Sequence, residues 1–185
     1  YITTTPQNDT IFTYSGNDMV LAKGGIDTID LGSDDDVLFV NTSDLSTDAS
    51  LDGGTGSDTL NFGVIHTLHR SNGSRDESYD ASVTINMTSL GNASNFENLV
   101  GTTGNDTLTG DSNANIITGG TGTDTLNGAA GNDTLYDDIN HCLFGSTNSN
   151  CLSQAYVDYG SLGNDALNGD AGNDILIASA GDDTL

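Results

Sequence analysis

Basic residues are nearly absent from this chain. Its 185 residues contain 27 Asp and Glu but only 3 Lys and Arg, which gives a net charge of −24 at pH 7. Nucleic acids and anionic membrane surfaces are bound through basic patches, so this balance argues against both kinds of partner. A compact fold with so much charge of one sign repels itself, and bound divalent cations would relieve that repulsion.

Apolar residues are also few. Tryptophan is absent, aromatic residues make up 6% of the chain, and hydrophobic residues only 34%. No apolar run approaches the length of about 20 residues that a transmembrane helix needs, so we expect no membrane insertion. Low hydrophobicity combined with high charge is typical of disordered chains. Whether this chain folds therefore depends on how its residues are spaced.

A nine-residue repeat between residues 101 and 136 provides a regular spacing. Four windows follow one another without a gap: GTTGNDTLT, GDSNANIIT, GGTGTDTLN and GAAGNDTLY. Counted from the first glycine, position six is Asp106, Asn115, Asp124 and Asp133. Position eight is always aliphatic: Leu108, Ile117, Leu126 and Leu135. A fixed short period of this kind indicates a solenoid.

The repeat predicts a coil built from two turns and two short strands. Glycine reaches positive φ at little steric cost, so G-x-x-G-x-D can form a tight turn with its carbonyl groups pointing inward. Three residues then remain for a strand whose aliphatic side chain lies on one face. Two repeats form one coil, and equivalent residues of neighbouring coils stack one strand spacing, about 4.8 Å, apart.

This stacking brings acidic side chains together. Asp106 is predicted to lie beside Asp124, and Asn115 beside Asp133. Two carboxylates at this distance repel each other unless a cation lies between them. Calcium takes about 6–8 oxygen ligands from carboxylates and carbonyl groups, whereas magnesium demands a tighter octahedral geometry. The spacing therefore favours calcium.

The pattern resembles the RTX nonapeptide repeat, G-G-x-G-x-D-x-U-x, of calcium-binding β-roll proteins. The resemblance implies an all-β fold, a parallel β-roll or β-helix solenoid with calcium ions in the turns, here carrying two non-repetitive excursions. It also implies a secreted or bacterial surface protein that leaves the cell unfolded and folds outside it on binding calcium. We expect the chain to be part of a longer protein and to contact neighbouring repeats of it.

The repeats divide the chain into five predicted segments. They are RTX-like repeats at 4–61 (degenerate at 40–52), a non-repetitive β excursion at 62–100, the regular block at 101–136, a cysteine-containing loop at 137–159, and further repeats at 160–185.

The predicted calcium ligands are position-six side chains and turn carbonyl groups. Asp58 and Asp174 are expected to have weaker partners, neutral Asn115 to form a weaker site, and the Asp9 turn to depart from the pattern because Pro6 and Gln7 interrupt it. The five stacked pairs expected are Asp9/Asp27, Asp18/Asp36, Asp106/Asp124, Asn115/Asp133 and Asp165/Asp183. Carbonyl ligands are expected from Gly104, Gly120, Gly122, Gly131, Gly163 and Gly172.

Two cysteines, Cys142 and Cys151, lie in the predicted loop. A disulfide between them would suit an oxidising, extracellular setting. Two free thiols remain the alternative, because the sequence alone does not decide the pairing.

Three functions agree with these observations. The favoured one is a calcium-binding extracellular structural module of an RTX-type adhesin or surface protein. The second is a C-terminal secretion or folding appendage of a secreted RTX enzyme or toxin. The third is a carbohydrate- or protein-binding module whose excursions bind a surface glycan or protein ligand. No G-x-S-x-G motif is present, and we predict no catalytic residue in this chain.

Overall fold

Short parallel strands make up most of the described structure. The computed structural model describes residues 1–63, 82–137, 163–179 and 181–185. A four-residue helix, α1 (Asp44–Thr47), and a 3₁₀ turn at Met87–Ser89 are the helical elements of these residues. The strands, in chain order, are β1 (Ile2–Thr3), β2 (Thr10–Phe12), β3 (Met19–Leu21), β4 (Thr28–Asp30), β5 (Val37–Phe39), β6 (Ser50–Asp52), β7 (Thr59–Asn61), β8 (Thr84–Asn86), β9 (Ala93–Ser94), β10 (Asn98–Val100), β11 (Thr107–Thr109), β12 (Ile116–Thr118), β13 (Thr125–Asn127), β14 (Thr134–Tyr136), β15 (Ala166–Asn168) and β16 (Ile175–Ile177).

The strands form one long sheet and two shorter ones. The long sheet has eight strands in the order β1-β3-β5-β7-β10-β12-β14-β16. The other face is divided into two four-stranded sheets, β2-β4-β6-β9 and β15-β13-β11-β8. All strand pairs within the described residues are parallel, because the chain visits the two faces alternately. The predicted all-β parallel solenoid is therefore confirmed.

Register places the aliphatic residues of position eight on top of one another. Leu108 pairs with Leu126, and Ile117 pairs with Leu135, across neighbouring coils. These four side chains are fully buried. One cluster of stacked aliphatic side chains runs from Val20 to Leu167 and forms the core between the faces. Position eight thus specifies the interior, as the period predicts.

The coil also accommodates departures from the nine-residue period. Helix α1 lies between β5 and β6, where the repeat is degenerate in sequence. Even so, β5 pairs with β7, and Val37 remains opposite Thr59. Farther along, β8 pairs with β11 whereas β9 of the same coil pairs with β6, which is where the second face divides. Extra residues are therefore taken up in the turns and leave the long sheet continuous.

Two sequence predictions fall wholly or partly outside the described residues. Cys142 and Cys151 both lie there, as does much of the two predicted excursions. Within the described residues, no helix is long and apolar enough to cross a membrane.

Replacing Leu126 by Ala should lower the free energy of unfolding by about 2–5 kcal/mol, because it deletes buried methyl groups from the middle of the stack. Thr125→Ala on the same strand changes an exposed residue and should cost far less. Urea unfolding in saturating calcium, followed by circular dichroism, measures both. Equal losses for the two variants would show that position eight does not carry the core.

Candidate metal centre

Position-six residues of successive coils lie in two columns. Each column is formed by the turns that lead into the strands of one face. The first column precedes the eight-stranded sheet: Asp18, Asp36, Asp58, Glu97, Asn115, Asp133 and Asp174. The second precedes the four-stranded sheets: Asp9, Asp27 and Asp48, then Asp106, Asp124, Asp165 and Asp183.

A repeated hydrogen bond holds each column together. The backbone N–H at position six donates to the carboxylate Oδ1 of the next coil. The N–H of Asp106 lies 2.8 Å from Oδ1 of Asp124, and that of Asn115 lies 2.8 Å from Oδ1 of Asp133. The same bond joins the other three predicted pairs. The structure thus brings together all five predicted pairs, while their role as calcium ligands stays a prediction.

In most of the buried carboxylates that the structure describes, only Oδ1 accepts the hydrogen bond between coils, and Oδ2 has no donor. The side chains of Asp58, Asp124 and Asp133 are at most 1% exposed. Their Oδ2 atoms have no hydrogen-bond donor within the described residues, and the same holds for Oδ2 of Asp27, Asp36 and Asp48. A buried charged oxygen without a partner is costly. An ion coordinated by these oxygens would remove that cost.

Backbone carbonyl groups lie beside these carboxylates. Gly122 has φ +129°, and a Cβ built on it would be 2.3 Å from the carbonyl oxygen of Gly104 in the preceding coil. At Gly119 the same construction places a Cβ 2.4 Å from Oδ2 of Asp124 and 2.7 Å from the carbonyl oxygen of Asp137. Carbonyl and carboxylate oxygens therefore converge where only glycine fits, and together they make the oxygen-rich donor set that calcium prefers.

Burial raises the pKa values of carboxyl groups in the columns. Burial is the largest cause that raises the pKa of Asp124, and the nearby charges of Asp106, Asp165 and Asp137 add to the rise, so that this pKa is about 7. Burial likewise raises the pKa of Asp58 to about 7, assisted by the charges of Asp36 and Glu97. Hydrogen bonds from neighbouring backbone groups oppose both shifts without cancelling them. Without a cation, these turns therefore favour protonated carboxyl groups.

Some neighbours within a column are separated in sequence by inserted residues, so their spacing is not a multiple of nine. Asp48 accepts a hydrogen bond from the N–H of Asp27, at 3.0 Å. Glu97 accepts one from the N–H of Asp58, at 2.8 Å. Asp58 therefore has acidic neighbours on both sides. A nine-residue period does not predict Asp48 or Glu97 as partners, because they lie 21 and 39 residues from Asp27 and Asp58.

A third carboxylate joins the pair Asp165 and Asp183. Asp137 stands at position one, where the regular repeat has glycine, and its carboxylate oxygens lie within 4.8 Å of those two side chains. Asp137 also accepts a hydrogen bond from the N–H of Ser179. The sequence predicts that the cysteine-containing loop begins at Asp137. The register of β14 places Asp137 instead at the end of the regular coil.

The remaining predicted residues differ in their burial. Asp18, Asp174 and Asp183 are half-buried, and Asp165 is buried. Asp174 accepts the N–H of Asp133 at 3.0 Å and so belongs to a column despite the 41 residues between them. By contrast, Asp34 and Asp35 next to Asp36 are exposed.

These features define a class of protein: a parallel β-solenoid whose glycine-rich turns stack carboxylate and carbonyl oxygens. The RTX calcium-binding nonapeptide repeat matches four segments, at residues 1–29, 13–42, 97–136 and 159–185. The matches cover more than half of the chain, and the chain belongs to this family of RTX repeat proteins. A comparison with curated proteins found no match.

In calcium-free buffer, the free energy of unfolding should fall as the pH rises from 5 to 8. The folded pKa values of Asp58 and Asp124, about 7, exceed the ordinary value of 3.8. The folded state therefore binds more protons than the unfolded chain between these values, and this stabilisation is lost as the pH passes 7.

Circular dichroism of the metal-free chain at several pH values between 5 and 8 measures the effect as a loss of β-sheet signal. Saturating calcium is the control, because ionised carboxylates coordinated to a cation no longer need protons. Metal-free stability that increased from pH 5 to pH 8 would contradict the buried carboxylates described above.

Proposed function

We propose that this chain is a calcium-binding structural module whose solenoid folds when calcium enters its turns. The observation that supports this most directly is the set of buried Oδ2 atoms without hydrogen-bond donors in the described turns. Each lies in a turn that also presents backbone carbonyl oxygens. Asp36, Asp58, Asp124 and Asp133 are the ligands we propose from the regular turns, with Asp27 and Asp48 beside α1.

The donor chemistry selects the ion. All the converging atoms are carboxylate or carbonyl oxygens, and no His or Cys side chain is among the residues of the columns. Zinc and copper prefer nitrogen and sulfur ligands, whereas calcium prefers oxygen. When bound, calcium would supply positive charge between stacked turns, and the chain would supply the oxygens and their spacing.

Mass action then couples calcium to folding. Calcium sites of extracellular modules have dissociation constants of about 10⁻⁴–10⁻³ M. At about 1 mM calcium, each such site stabilises the folded state by about 0.4–1.4 kcal/mol. Several such sites together contribute about 5 kcal/mol, which is the lower end of the free energy of unfolding of ordinary domains. Removing calcium should therefore unfold the solenoid.

We place this module outside the cell, in an RTX-type adhesin or surface protein. Millimolar calcium is available there, and proteins with RTX repeats are generally secreted. The charge of −24 supports this setting, since at low calcium it keeps the chain extended. The role we propose is structural, because the described acids are arranged along columns of turns.

Calcium titration of the chelator-treated chain, followed by far-ultraviolet circular dichroism, tests the proposal. The β-sheet signal should increase cooperatively between micromolar and millimolar calcium. Magnesium at the same concentrations is the control and should have a much smaller effect. A spectrum that already shows the full β-sheet signal without calcium, and does not change on adding it, would contradict the proposal.

Replacing Asp124 by Asn should reduce the number of bound calcium ions and raise the calcium concentration needed for folding. Asp30→Asn is a matched control, because it removes the same charge from the last residue of β4, outside the position-six columns. Equilibrium dialysis followed by atomic emission counts the ions in both variants. If both bind as many ions as the unaltered chain, Asp124 is not a ligand.

A further inference from the structure

Among the turns that the structure describes, three position-six side chains accept a hydrogen bond from their own turn. They are Asp9, Asp106 and Asn115. In each, the backbone N–H at position two of the same repeat donates to the position-six side chain. The oxygen that elsewhere lacks a donor is thus already hydrogen-bonded here.

The Asp106 turn shows this most fully. The N–H of Thr102 lies 2.6 Å from Oδ2 of Asp106, and the Thr102 hydroxyl lies 3.0 and 3.1 Å from its two oxygens. Oδ1 also accepts the N–H of Val83, at 2.8 Å. Val83 occupies the equivalent place in the preceding coil, so no second carboxylate faces Asp106 from that side. Both carboxylate oxygens of Asp106 therefore accept hydrogen bonds from the chain itself.

The Asp9 turn has the same arrangement. Thr5 stands at position two, and its N–H and hydroxyl lie 2.7 and 2.8 Å from Oδ2 of Asp9.

At Asn115 an amide group stands where a cation would otherwise be needed. Its Oδ1 accepts the N–H of Asp111, at 2.8 Å. Its Nδ2 donates to the carbonyl oxygen of Glu97, at 2.9 Å, and to a carboxylate oxygen of Asp111, at 3.3 Å. The side chain thereby bridges to the preceding coil with N–H groups, and these carry the partial positive charge that an ion would bring.

In four regular turns of the described residues, glycine or alanine stands at position two and its N–H does not bond to the acid of that turn. The N–H of Gly120 donates to the carbonyl oxygen of Asp137, and that of Ala129 donates to Oδ1 of Asn127. Both residues have positive φ, +116° and +72°, as do Gly32 and Gly54 at the same position. These four precede Asp124, Asp133, Asp36 and Asp58, whose Oδ2 atoms lack a donor within the described residues.

Residue type explains why position two adopts one conformation or the other. A β-branched threonine is strongly disfavoured at positive φ, whereas glycine reaches it freely. Asp111 is held by a local turn, since its carboxylate accepts the N–H of Asn113 at 2.7 Å. The backbone at position two therefore determines where its N–H points.

We propose that, in the regular turns of this chain, the residue at position two decides whether the turn takes a calcium ion. A left-handed glycine or alanine leaves one carboxylate oxygen for the ion, as at Asp36, Asp58, Asp124 and Asp133. Thr5, Thr102 and Asp111 close their own turns, which hold together without an ion. This inference rests on the proposed calcium binding and narrows it to particular turns.

Thr102→Gly in the full chain tests the inference. Opening this turn releases Oδ2 of Asp106, so the variant should bind one calcium ion more than the unaltered chain. Thr103→Gly, in the exposed neighbouring position, is the matched control and should leave the number unchanged. Equilibrium dialysis of calcium with atomic emission counts the ions, and circular dichroism verifies folding. A folded Thr102→Gly chain with an unchanged number of ions would overturn the inference.

A second pair of variants tests the inference about position two even if the Thr102→Gly chain does not fold. Asp124→Asn should lose bound calcium, whereas Asp106→Asn should lose none, although it destabilises the turn by placing an amide against an N–H donor. If both variants lose an ion, the inference fails and the proposed calcium binding stands. If neither loses an ion, the proposed function itself fails.

Discussion

Repulsion between buried carboxylates is the constraint on which this solenoid depends. The coil stacks one acid above another at the spacing of neighbouring strands, and burial removes the water that would screen them. In Asp58 and Asp124 this combination raises the pKa to about 7. The regular hydrogen bonds between coils satisfy only one oxygen of each carboxylate. Sheet pairing and the aliphatic core therefore form around a column that needs positive charge from elsewhere.

The chain meets that need in two ways. Six of the described turns keep a buried carboxylate oxygen free of donors, which suits a cation from solution and makes the fold responsive to the cation concentration. The turns of Asp9, Asp106 and Asn115 use backbone N–H, hydroxyl or amide groups of the chain itself. Asp106 belongs to the coil that meets Val83, at the place where the second face divides. A turn that does not depend on an ion there would fix the register between the two halves of the solenoid.

The period of nine was sufficient to predict the strands, the core residues at position eight and the five stacked pairs. It did not predict partners across insertions, because Asp48, Glu97 and Asp174 lie 21 to 41 residues from the acids they contact. It also treated all position-six residues alike. Whether a turn bonds to its own acid, as at Asp106, or leaves Oδ2 free, as at Asp124, depends on the backbone conformation at position two. A single residue sets that conformation without changing the period. Threonine at that position in Thr5 and Thr102 was the signal in the sequence.

Anomalous diffraction from crystals grown in calcium, recorded at a long wavelength, tests the central claim most directly. Calcium scatters anomalously under these conditions, so each ion gives a peak independent of the refined coordinates. The account predicts peaks between stacked turns beside Oδ2 of Asp36, Asp58, Asp124 and Asp133. Well-ordered turns without any such peak, in crystals containing ample calcium, would contradict it.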